Sequence, residues 1–241
     1  MNLKKGFYYL KKAVYYVINR PIIIHEKAFD KLYANVPGWL EKGHLYCMNH
    51  AITNLPDDKS VILEIGTYHG LSTNAMLYFK SKNNIPNPVV TVDLYSRITD
   101  PNEKIVNLES PYQINQFIKE SFVRNVRFFN PQATIQSSDL SSDDFFKAWD
   151  DKQAITNLFG GEFVPEGTIA FAYVDGNHDY DFVKRDFENI DKYLVNGGFI
   201  LFDDSAGYTN FDPKLVAQEV VKSGRYKVIR KNPHYFIQKI K

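Results

Sequence analysis

The chain has 241 residues, 44% of them hydrophobic, which is enough apolar material to bury the core of one compact domain. Its 29 basic residues almost balance its 28 acidic ones, so no excess of positive charge is available for a nucleic-acid backbone, and we expect no nucleic-acid partner. The single cysteine, Cys47, excludes an internal disulfide. Together with the lack of Cys/His spacing typical of a zinc site, it predicts a reducing, cytoplasmic setting.

The first twenty residues predict a basic, aromatic amphipathic helix. Lys11 and Lys12 interrupt the apolar run, so it is too short to span a membrane, and no signal-cleavage pattern follows it. Such a helix could pack on the domain, contact a second copy of the chain in a homo-oligomer, or touch a membrane surface weakly. We favour packing or oligomer contact, because most apolar stripes of this kind face a protein core.

Two further helices are predicted before the main domain, from about Glu26 to Val36 and from Trp39 to Leu55. Pro37 and Gly38 separate them, because both residue types interrupt helices. We therefore expect residues 1–59 to form an N-terminal helical extension that caps the domain or makes an oligomer contact. Residues 60–241 then form the main domain.

Short apolar runs alternate with helical patterns from Val61 onward, which predicts an α/β fold. The runs typical of buried strands are Val61–Ile65, Val89–Asp93, Ala133–Ser137, Ile169–Asp175 and FILFDD at 199–204. The helical patterns are Leu71–Lys80, Tyr112–Arg127, Ser142–Leu158, a helix through Val183, Phe187, Ile190 and Leu194 that ends at Asn196–Gly198, and Leu215–Ser223. The last segments, YKVIR and HYFIQKI, predict a hairpin. This order predicts a doubly wound, mostly parallel seven-stranded sheet with an antiparallel C-terminal edge and a ligand crevice at the carboxyl ends of its strands.

The turn after the first strand, EIGTYHG, is the first candidate for ligand binding. Gly66 and Gly70 bracket it, and their missing side chains allow a ligand to approach the backbone. Tyr68 replaces the middle glycine of the dinucleotide fingerprint, so a pyrophosphate would be crowded there. Asp93 ends the second strand and can accept two hydrogen bonds from a ribose diol. Asp93 could instead cap a turn, as Glu64 could cap nearby amides, and both interpretations stay open.

Ser138 and Asp139 follow the third predicted strand and reach the same edge of the sheet. They could contact a ligand there, or they could start the helix at Ser142. Because five strands deliver polar groups to one edge, we favour binding for the set as a whole.

Three carboxylates, those of Asp175, Asp203 and Asp204, end two strands that we expect to be neighbours. At a strand spacing of about 4.8 Å they would repel one another. A divalent cation relieves the repulsion while leaving all three ionised, and oxygen ligands favour Mg²⁺ over zinc. His178 follows Asp175 by three residues and is a candidate catalytic base for an acceptor hydroxyl. The alternative role is a hydrogen bond to Asp175 or Asp179 at a helix start.

The segments VILEIGTYHGLST, TVDLY and YVDGNHDYDFVKRDFENIDKYLVNGGFILFDDS resemble the motifs of class I S-adenosylmethionine-dependent methyltransferases. The likeness spans roughly residues 60–241, and the last segment is similar to the small metal-dependent O-methyltransferases of the catechol, macrolide-sugar and aminocoumarin-sugar types. It implies a Rossmann-like methyltransferase fold, a divalent metal at the three acidic positions, and a base at the position of His178. The residues that it implies for S-adenosylmethionine are Glu64, Gly66, Thr67, Tyr68, Gly70, Ser72, Asp93, Ser138, Asp139 and Asp175.

The connection Tyr95–Pro111 is longer than most and could form a lid over the acceptor. The resemblance favours a small hydroxylated acceptor, a sugar or a phenol. Two other functions stay open. A noncatalytic S-adenosylmethionine- or nucleotide-binding module would not need the three aspartates and His178 together. A nicotinamide-dependent oxidoreductase is disfavoured by the missing middle glycine and by the lack of a recognisable Tyr/Lys proton-relay pair.

Overall fold

A seven-stranded sheet with helices on both faces forms the centre of the protein. The structure is a computed structural model, and it describes residues 3–96 and 111–241. Its helices are α1 (Leu3–Asn19), α2 (Lys27–Asn35), α3 (Lys42–Thr53), α4 (Leu71–Lys82), α5 (Pro111–Phe129), α6 (Ser142–Asp150), α7 (Tyr180–Tyr193) and α8 (Pro213–Lys222). Its strands are β1 (Val61–Ile65), β2 (Val89–Asp93), β3 (Ile135–Asp139), β4 (Ile155–Thr156), β5 (Glu162–Phe163), β6 (Ile169–Val174), β7 (Leu194–Phe202), β8 (Tyr226–Lys231) and β9 (Tyr235–Lys239).

The large sheet has the strand order β3-β2-β1-β6-β7-β9-β8. The first five strands in this order are parallel, and β9 and β8 add an antiparallel hairpin at one edge. Ile65 pairs with Val174, which pairs in turn with Phe202. Because these strands end at the same level, the residues that follow them share one edge of the sheet. The predicted fold class is confirmed.

Buried apolar side chains cover both faces of the sheet. On one face, α6, α7 and α8 pack against the strands. On the other face, Phe29 of α2 and Met48 of α3 belong to the same buried cluster as Ile62 and Phe171 of the sheet. Helices α2 and α3 are therefore part of the core on this face, because their apolar stripes cover strand residues. The division between 59 and 60 stays a prediction.

Several element boundaries differ from the sequence prediction by one to three residues, and two differ by more. Helix α6 ends at Asp150 and not at Leu158, because Lys152 takes a left-handed φ of 51° and the chain then forms the short antiparallel pair β4 and β5. Strand β7 begins at Leu194, directly after α7. The segment Asn196–Gly198 therefore lies inside a strand, near an irregular part of the β6–β7 pairing, and does not end the helix.

Helix α1 packs on the rest of the protein through one face and exposes the other. Tyr8 and Tyr15 lie edge-on against Tyr208, with ring centroids 5.8 and 5.4 Å apart, and Lys12 Nζ lies 2.5 Å from Glu41 Oε1. Four apolar side chains are exposed away from these contacts, Leu10, Val14, Val17 and Ile18, and the polar Lys11 and Asn19 are exposed beside them. Within 3–96 and 111–241, no helix combines the length and the apolar character that crossing a membrane requires.

Candidate active site

Residues Gly66–Gly70, here called the glycine turn, connect β1 to α4. Gly66 has a φ of 85°, and a Cβ atom there would lie 2.0 Å from the backbone oxygen of Asp175. Gly70 has a φ of 88°, and a Cβ atom there would lie 2.9 Å from the Phe122 ring. Both glycines are thus required by the left-handed backbone and by neighbouring protein atoms. Gly66 thus holds the turn directly against Asp175, which follows β6.

Asp93 supports the glycine turn from the end of β2. Its Oδ2 accepts hydrogen bonds from the backbone N–H groups of Thr67 and Tyr68, both at 2.8 Å. Asp93 therefore caps the turn, which is one of the two roles that the sequence left open for it. Because both bonds use Oδ2, Oδ1 lies outside this capping arrangement.

Glu64 is fully buried beneath the glycine turn. Its carboxyl group accepts hydrogen bonds from the hydroxyls of Ser72 and Thr73, the latter at 2.5 Å, in the first turn of α4. Burial raises the pKa of Glu64 to about 8, although the two hydroxyl groups oppose this shift. The carboxyl group is therefore mainly neutral at pH 7 and is placed where a ligand cation would favour its ionised form.

Ser138 and Asp139 end β3, which lies two residues further along the chain than predicted. The Ser138 side chain is buried, and its Oγ has no hydrogen-bond partner among the described residues. Asp139 accepts hydrogen bonds from Ser96 N at 2.8 Å and from Lys119 Nζ at 3.1 Å. An unsatisfied buried hydroxyl at the edge of a crevice fits a polar ligand group, since burial without a partner is costly.

Asp175, Asp203 and Asp204, here called the acidic rim, follow β6 and β7. The Tyr173 hydroxyl lies 3.1 Å from Asp175 Oδ2 and 3.0 Å from Asp203 Oδ2, so the two carboxyl groups lie close together on either side of it. Burial and the Asp203 carboxylate raise the pKa of Asp175 well above its usual value. The closeness of the two carboxyl groups therefore disfavours ionisation of both at once.

Asp203 is the ionised member of this pair. Burial opposes its ionisation, but the neighbouring His44 and His234 and a 2.7 Å hydrogen bond from Asp204 N lower its pKa to about 2. Asp204 itself follows β7 with a left-handed φ of 46°. Burial and the Asp203 charge raise the pKa of Asp204 to about 6.

His178 reaches the acidic rim through Asp204. Its Nε2 lies 3.1 Å from Asp204 Oδ2, and its ring packs against Phe211 at a centroid distance of 4.8 Å. Asp179 occupies the N-cap position of α7 without a side-chain cap hydrogen bond. The imidazole thus lies beside the carboxylates, partly exposed to solvent.

Two buried histidines that no sequence motif marked also lie against the rim. His44 Nε2 is 3.3 Å and His234 Nε2 is 3.6 Å from Asp203 Oδ1, and the two rings stack with centroids 4.7 Å apart. His44 belongs to α3, and His234 lies in the turn between β8 and β9. No local spacing links them, so only folding of the extension onto the sheet brings them together.

Residues 63–205 match a family model described as a methyltransferase domain, and this region covers more than half of the chain. The chain belongs to the methyltransferase family. The match begins in β1 and ends just beyond the acidic rim, so it includes the glycine turn, Asp93 and His178. It confirms the resemblance to methyltransferases. A comparison of this methyltransferase with curated proteins finds no significant match.

Solved structures share the fold of this methyltransferase at low sequence identity. SAH-bound PaMTH1 of Podospora anserina is 14% identical with a TM-score of 0.58, over 100% of this chain and 97% of its own. The O-methyltransferase of Bacillus cereus in complex with SAH is 15% identical with a TM-score of 0.55, over 95% and 97%. The O-methyltransferase NovP is 16% identical with a TM-score of 0.55, over 82% and 79%. These likenesses confirm the Rossmann-like methyltransferase fold.

The expected lid, Tyr95–Pro111, falls largely outside the described residues of the methyltransferase, which omit 97–110. Its role stays a prediction. The described parts of the site therefore consist of the glycine turn, the strand ends, the acidic rim and His178.

Proposed function

We propose that this methyltransferase transfers a methyl group from S-adenosylmethionine to a hydroxyl oxygen of a small acceptor. The observation that carries the proposal is the contact between the glycine turn and the acidic rim, where a Cβ atom on Gly66 would lie 2.0 Å from the Asp175 backbone oxygen. A donor held by the turn would thus lie beside an acceptor held at the rim. Methyl transfer requires such proximity, because oxygen, methyl carbon and sulfur must align.

Three polar groups near the glycine turn match the three parts of S-adenosylmethionine. The buried carboxyl of Glu64 suits the ammonium of the methionine part, since a cation would favour its ionised form. Asp93 Oδ1, which the turn does not use, suits the ribose hydroxyls. The unpartnered Oγ of Ser138 suits the polar edge of adenine. The other residues proposed to line this pocket are Gly66, Thr67, Tyr68, Gly70, Ser72, Asp139 and Asp175.

We also propose a divalent cation, Mg²⁺ before others, at Asp175, Asp203 and Asp204. The placement of Asp175 Oδ2 and Asp203 Oδ2 on the same Tyr173 hydroxyl supports this, because a cation would let both closely spaced groups ionise without repulsion. When bound there, such a cation would lower the pKa of an acceptor hydroxyl.

His178 is the proposed base. With Nε2 donating to Asp204 Oδ2, the remaining ring nitrogen Nδ1 is available to accept the acceptor's hydroxyl proton. The Asp204 carboxylate would then stabilise the imidazolium that forms. Contact with Phe211 limits rotation of the ring.

A sugar or a phenol is the proposed acceptor. Exposed aromatic surfaces support this choice: Trp39 stacks on Tyr68 of the glycine turn, and Phe211, 47% exposed, packs beside His178. Rings of this kind stack on the apolar faces of sugars and of phenols. Binding of a sugar or a phenol does not need a large basic surface, and the protein has balanced charge. The same balance is the reason that we expect no nucleic-acid partner.

The setting and assembly of the protein stay proposals. The single buried thiol of Cys47 supports a reducing, cytoplasmic setting. The apolar outer face of α1 supports homo-oligomer contact, with weak attachment to a membrane surface as the alternative.

Calorimetry with S-adenosylhomocysteine and with NAD, followed by methyl-transfer assays on sugar and phenol panels with and without EDTA, tests the proposed function. We expect binding of S-adenosylhomocysteine, no binding of NAD, and transfer that EDTA abolishes. Binding of NAD alone would overturn the assignment. Cofactor binding without transfer to any acceptor would favour the noncatalytic module, whereas full activity in excess EDTA would remove only the metal from the mechanism.

A further inference from the structure

We infer that Tyr173, a buried tyrosine of β6, is a positioning residue for the proposed cation, because its hydroxyl orients the carboxyl groups of Asp175 and Asp203 toward each other. Tyr173 is 0% exposed, so it acts on the site only through the groups that its hydroxyl contacts. The sequence did not mark it as a site residue. The inference rests on the proposed function, since it assigns Tyr173 a role toward a cation at the acidic rim.

The register of the sheet brings Tyr173 and the two carboxyl groups together. Val174 of β6 pairs with Phe202 of β7, so the next residues, Asp175 and Asp203, follow neighbouring strands at the same level. Tyr173 precedes Asp175 by two residues, and side chains two apart lie on the same face of a strand. The phenol ring therefore reaches along β6 to the edge where both carboxyl groups lie.

The Tyr173 hydroxyl contacts both carboxyl groups at normal hydrogen-bond distances. It lies 3.1 Å from Asp175 Oδ2 and 3.0 Å from Asp203 Oδ2. A phenol carries one hydrogen and no charge, so it can donate to either carboxylate without competing with a cation for the negative charge. Without this donor, two ionised carboxylates so close together would turn apart, because like charges repel. The hydroxyl thus favours the arrangement that a shared cation needs.

Asp203 is also held from its other side. Its Oδ1 accepts a hydrogen bond from Asp204 N at 2.7 Å. His234 Nδ1 accepts one from Ala206 N at 3.2 Å, so the neutral ring carries its hydrogen on Nε2, which lies 3.6 Å from the same oxygen. Donors therefore face Oδ1, while Tyr173 faces Oδ2. With both oxygens restrained, the direction of the Asp203 carboxyl group is fixed before a cation binds.

The Tyr173 ring is itself fixed in the core. It lies edge-on to the His44 ring, with centroids 5.7 Å apart, and belongs to the same buried cluster as Phe199 and Leu201. Close packing leaves such a ring little freedom to move, so the hydroxyl has a set position. Loss of a residue that holds a metal ligand in this way usually costs about 10- to 100-fold in metal affinity or activity.

Direct metal binding to the full-length protein tests the inference. Mn²⁺ prefers the same oxygen ligands as Mg²⁺, and electron paramagnetic resonance measures its free concentration. Tyr173→Phe removes the hydroxyl and keeps the ring, so the core packing is retained. We expect this variant to bind Mn²⁺ about 10- to 100-fold more weakly than the wild type. The Kd for S-adenosylhomocysteine, measured by calorimetry without metal, should not change, because the hydroxyl contacts the two carboxyl groups and not the glycine turn.

The kinetics of methyl transfer provide a second readout. In Tyr173→Phe, the Mg²⁺ concentration for half-maximal rate should rise by the same factor, whereas kcat at saturating Mg²⁺ should recover. Excess metal restores the rate of a variant that has lost only metal affinity, because binding follows mass action. A general loss of structure would instead lower the rate at every Mg²⁺ concentration.

Tyr226→Phe is the matched control. Tyr226 is also buried, and its hydroxyl donates to the carboxyl group of Asp191 at the far end of α7 from the acidic rim. This variant should bind Mn²⁺ as tightly as the wild type. An equal loss in both variants, or wild-type affinity in Tyr173→Phe, would overturn the inference while the proposed cation stays. A wild type that binds no Mn²⁺ would overturn the cation and the inference together, and calorimetry with S-adenosylhomocysteine would still test the cofactor.

Discussion

At the scale of single residues, the buried carboxyl group of Glu64 links protonation to cofactor binding. In the free protein its pKa of about 8 keeps it mainly neutral at pH 7. The ammonium group of a bound cofactor would favour the ionised form, so binding must displace a proton. The buried position beneath the glycine turn thus makes affinity depend on pH.

We predict that S-adenosylhomocysteine binding releases close to one proton at pH 6–7 and about half a proton at pH 8. Affinity should then rise about tenfold per pH unit between about pH 6 and 7 and less steeply toward pH 8, because less free energy is spent on deprotonating Glu64 as the pH approaches its pKa. Calorimetry in two buffers of different ionisation enthalpy measures the proton count. Glu64→Gln should bind more weakly and release none. Binding to the wild type without proton release at pH 6.5 would contradict the prediction.

His178→Ala should lower kcat by about 10²- to 10⁴-fold, the usual contribution of a positioned base. The Kd for S-adenosylhomocysteine should not change, because His178 contacts Asp204 and Phe211 and no residue of the glycine turn. Steady-state kinetics and calorimetry measure the two quantities. His50→Ala serves as the control, because His50 is a histidine on α3 away from the rim. An unchanged kcat in His178→Ala would show that His178 is not the base.

At the scale of elements, the strands with continuous apolar sequence were predictable and the irregular connections were not. Both β1 and β2 match their predicted bounds because unbroken burial leaves a clear signal in the sequence. The end of α6 was missed because Ile155 and Leu158 continue a helical spacing, whereas the chain turns at Lys152. The glycines at 197 and 198 suggest a helix end, yet they lie in β7. Local patterns describe regular burial better than they describe turns.

The close contact between α3 and the β8–β9 turn makes Gly43 sensitive to substitution. Gly43→Ala should lower the free energy of unfolding by about 1–3 kcal/mol, because the new methyl group would overlap the Asn232 backbone oxygen. Gly6→Ala is the matched control. It also lies in a helix, with no described atom within 4 Å of the place that its new methyl group would take, and should not destabilise the protein. Chemical denaturation measures both, and equal stability of the two variants would contradict the prediction.

At the scale of the whole molecule, the sequence identifies site residues that follow strands but not those that the extension contributes. The doubly wound topology places Asp93, Asp175 and Asp203 at one edge, which follows from strand order alone. His44 joins them only because α3 packs on the sheet, and His234 because the edge hairpin folds back beside it. Contacts between segments so far apart in the chain leave no spacing pattern in the sequence.

Helix α1 docks against the partly buried Glu41 carboxylate. Burial opposes its ionisation, but hydrogen bonds from Lys12, Tyr16 and Tyr208 lower its pKa below the usual 4.5. A lowered pKa stabilises the folded state above the ordinary pKa, and this contribution is lost as the pH falls through the lowered value.

Lys12→Met should therefore lower the free energy of unfolding at pH 7 by about 1 kcal/mol after screening by solvent, or about 2–4 °C in Tm. The difference should shrink as the pH falls below 4.5 and through the lowered pKa of Glu41, where this carboxyl becomes protonated. Thermal unfolding at both pH values measures the effect, with Lys31→Met as the control for loss of a surface charge. A difference that persists unchanged at low pH would contradict the role of Glu41.

The stack of Trp39 on the glycine turn gives the protein an internal optical reporter. Of its two tryptophans, Trp39 is 83% exposed with its ring 5.2 Å from that of Tyr68, whereas Trp149 is 4% exposed on the far side of the sheet. Indole fluorescence shifts to longer wavelength in water, so the red edge of the emission belongs to Trp39. In Trp149→Phe, any ligand that moves or covers the turn should change the emission directly, which would let occupancy be followed by fluorescence titration without a label.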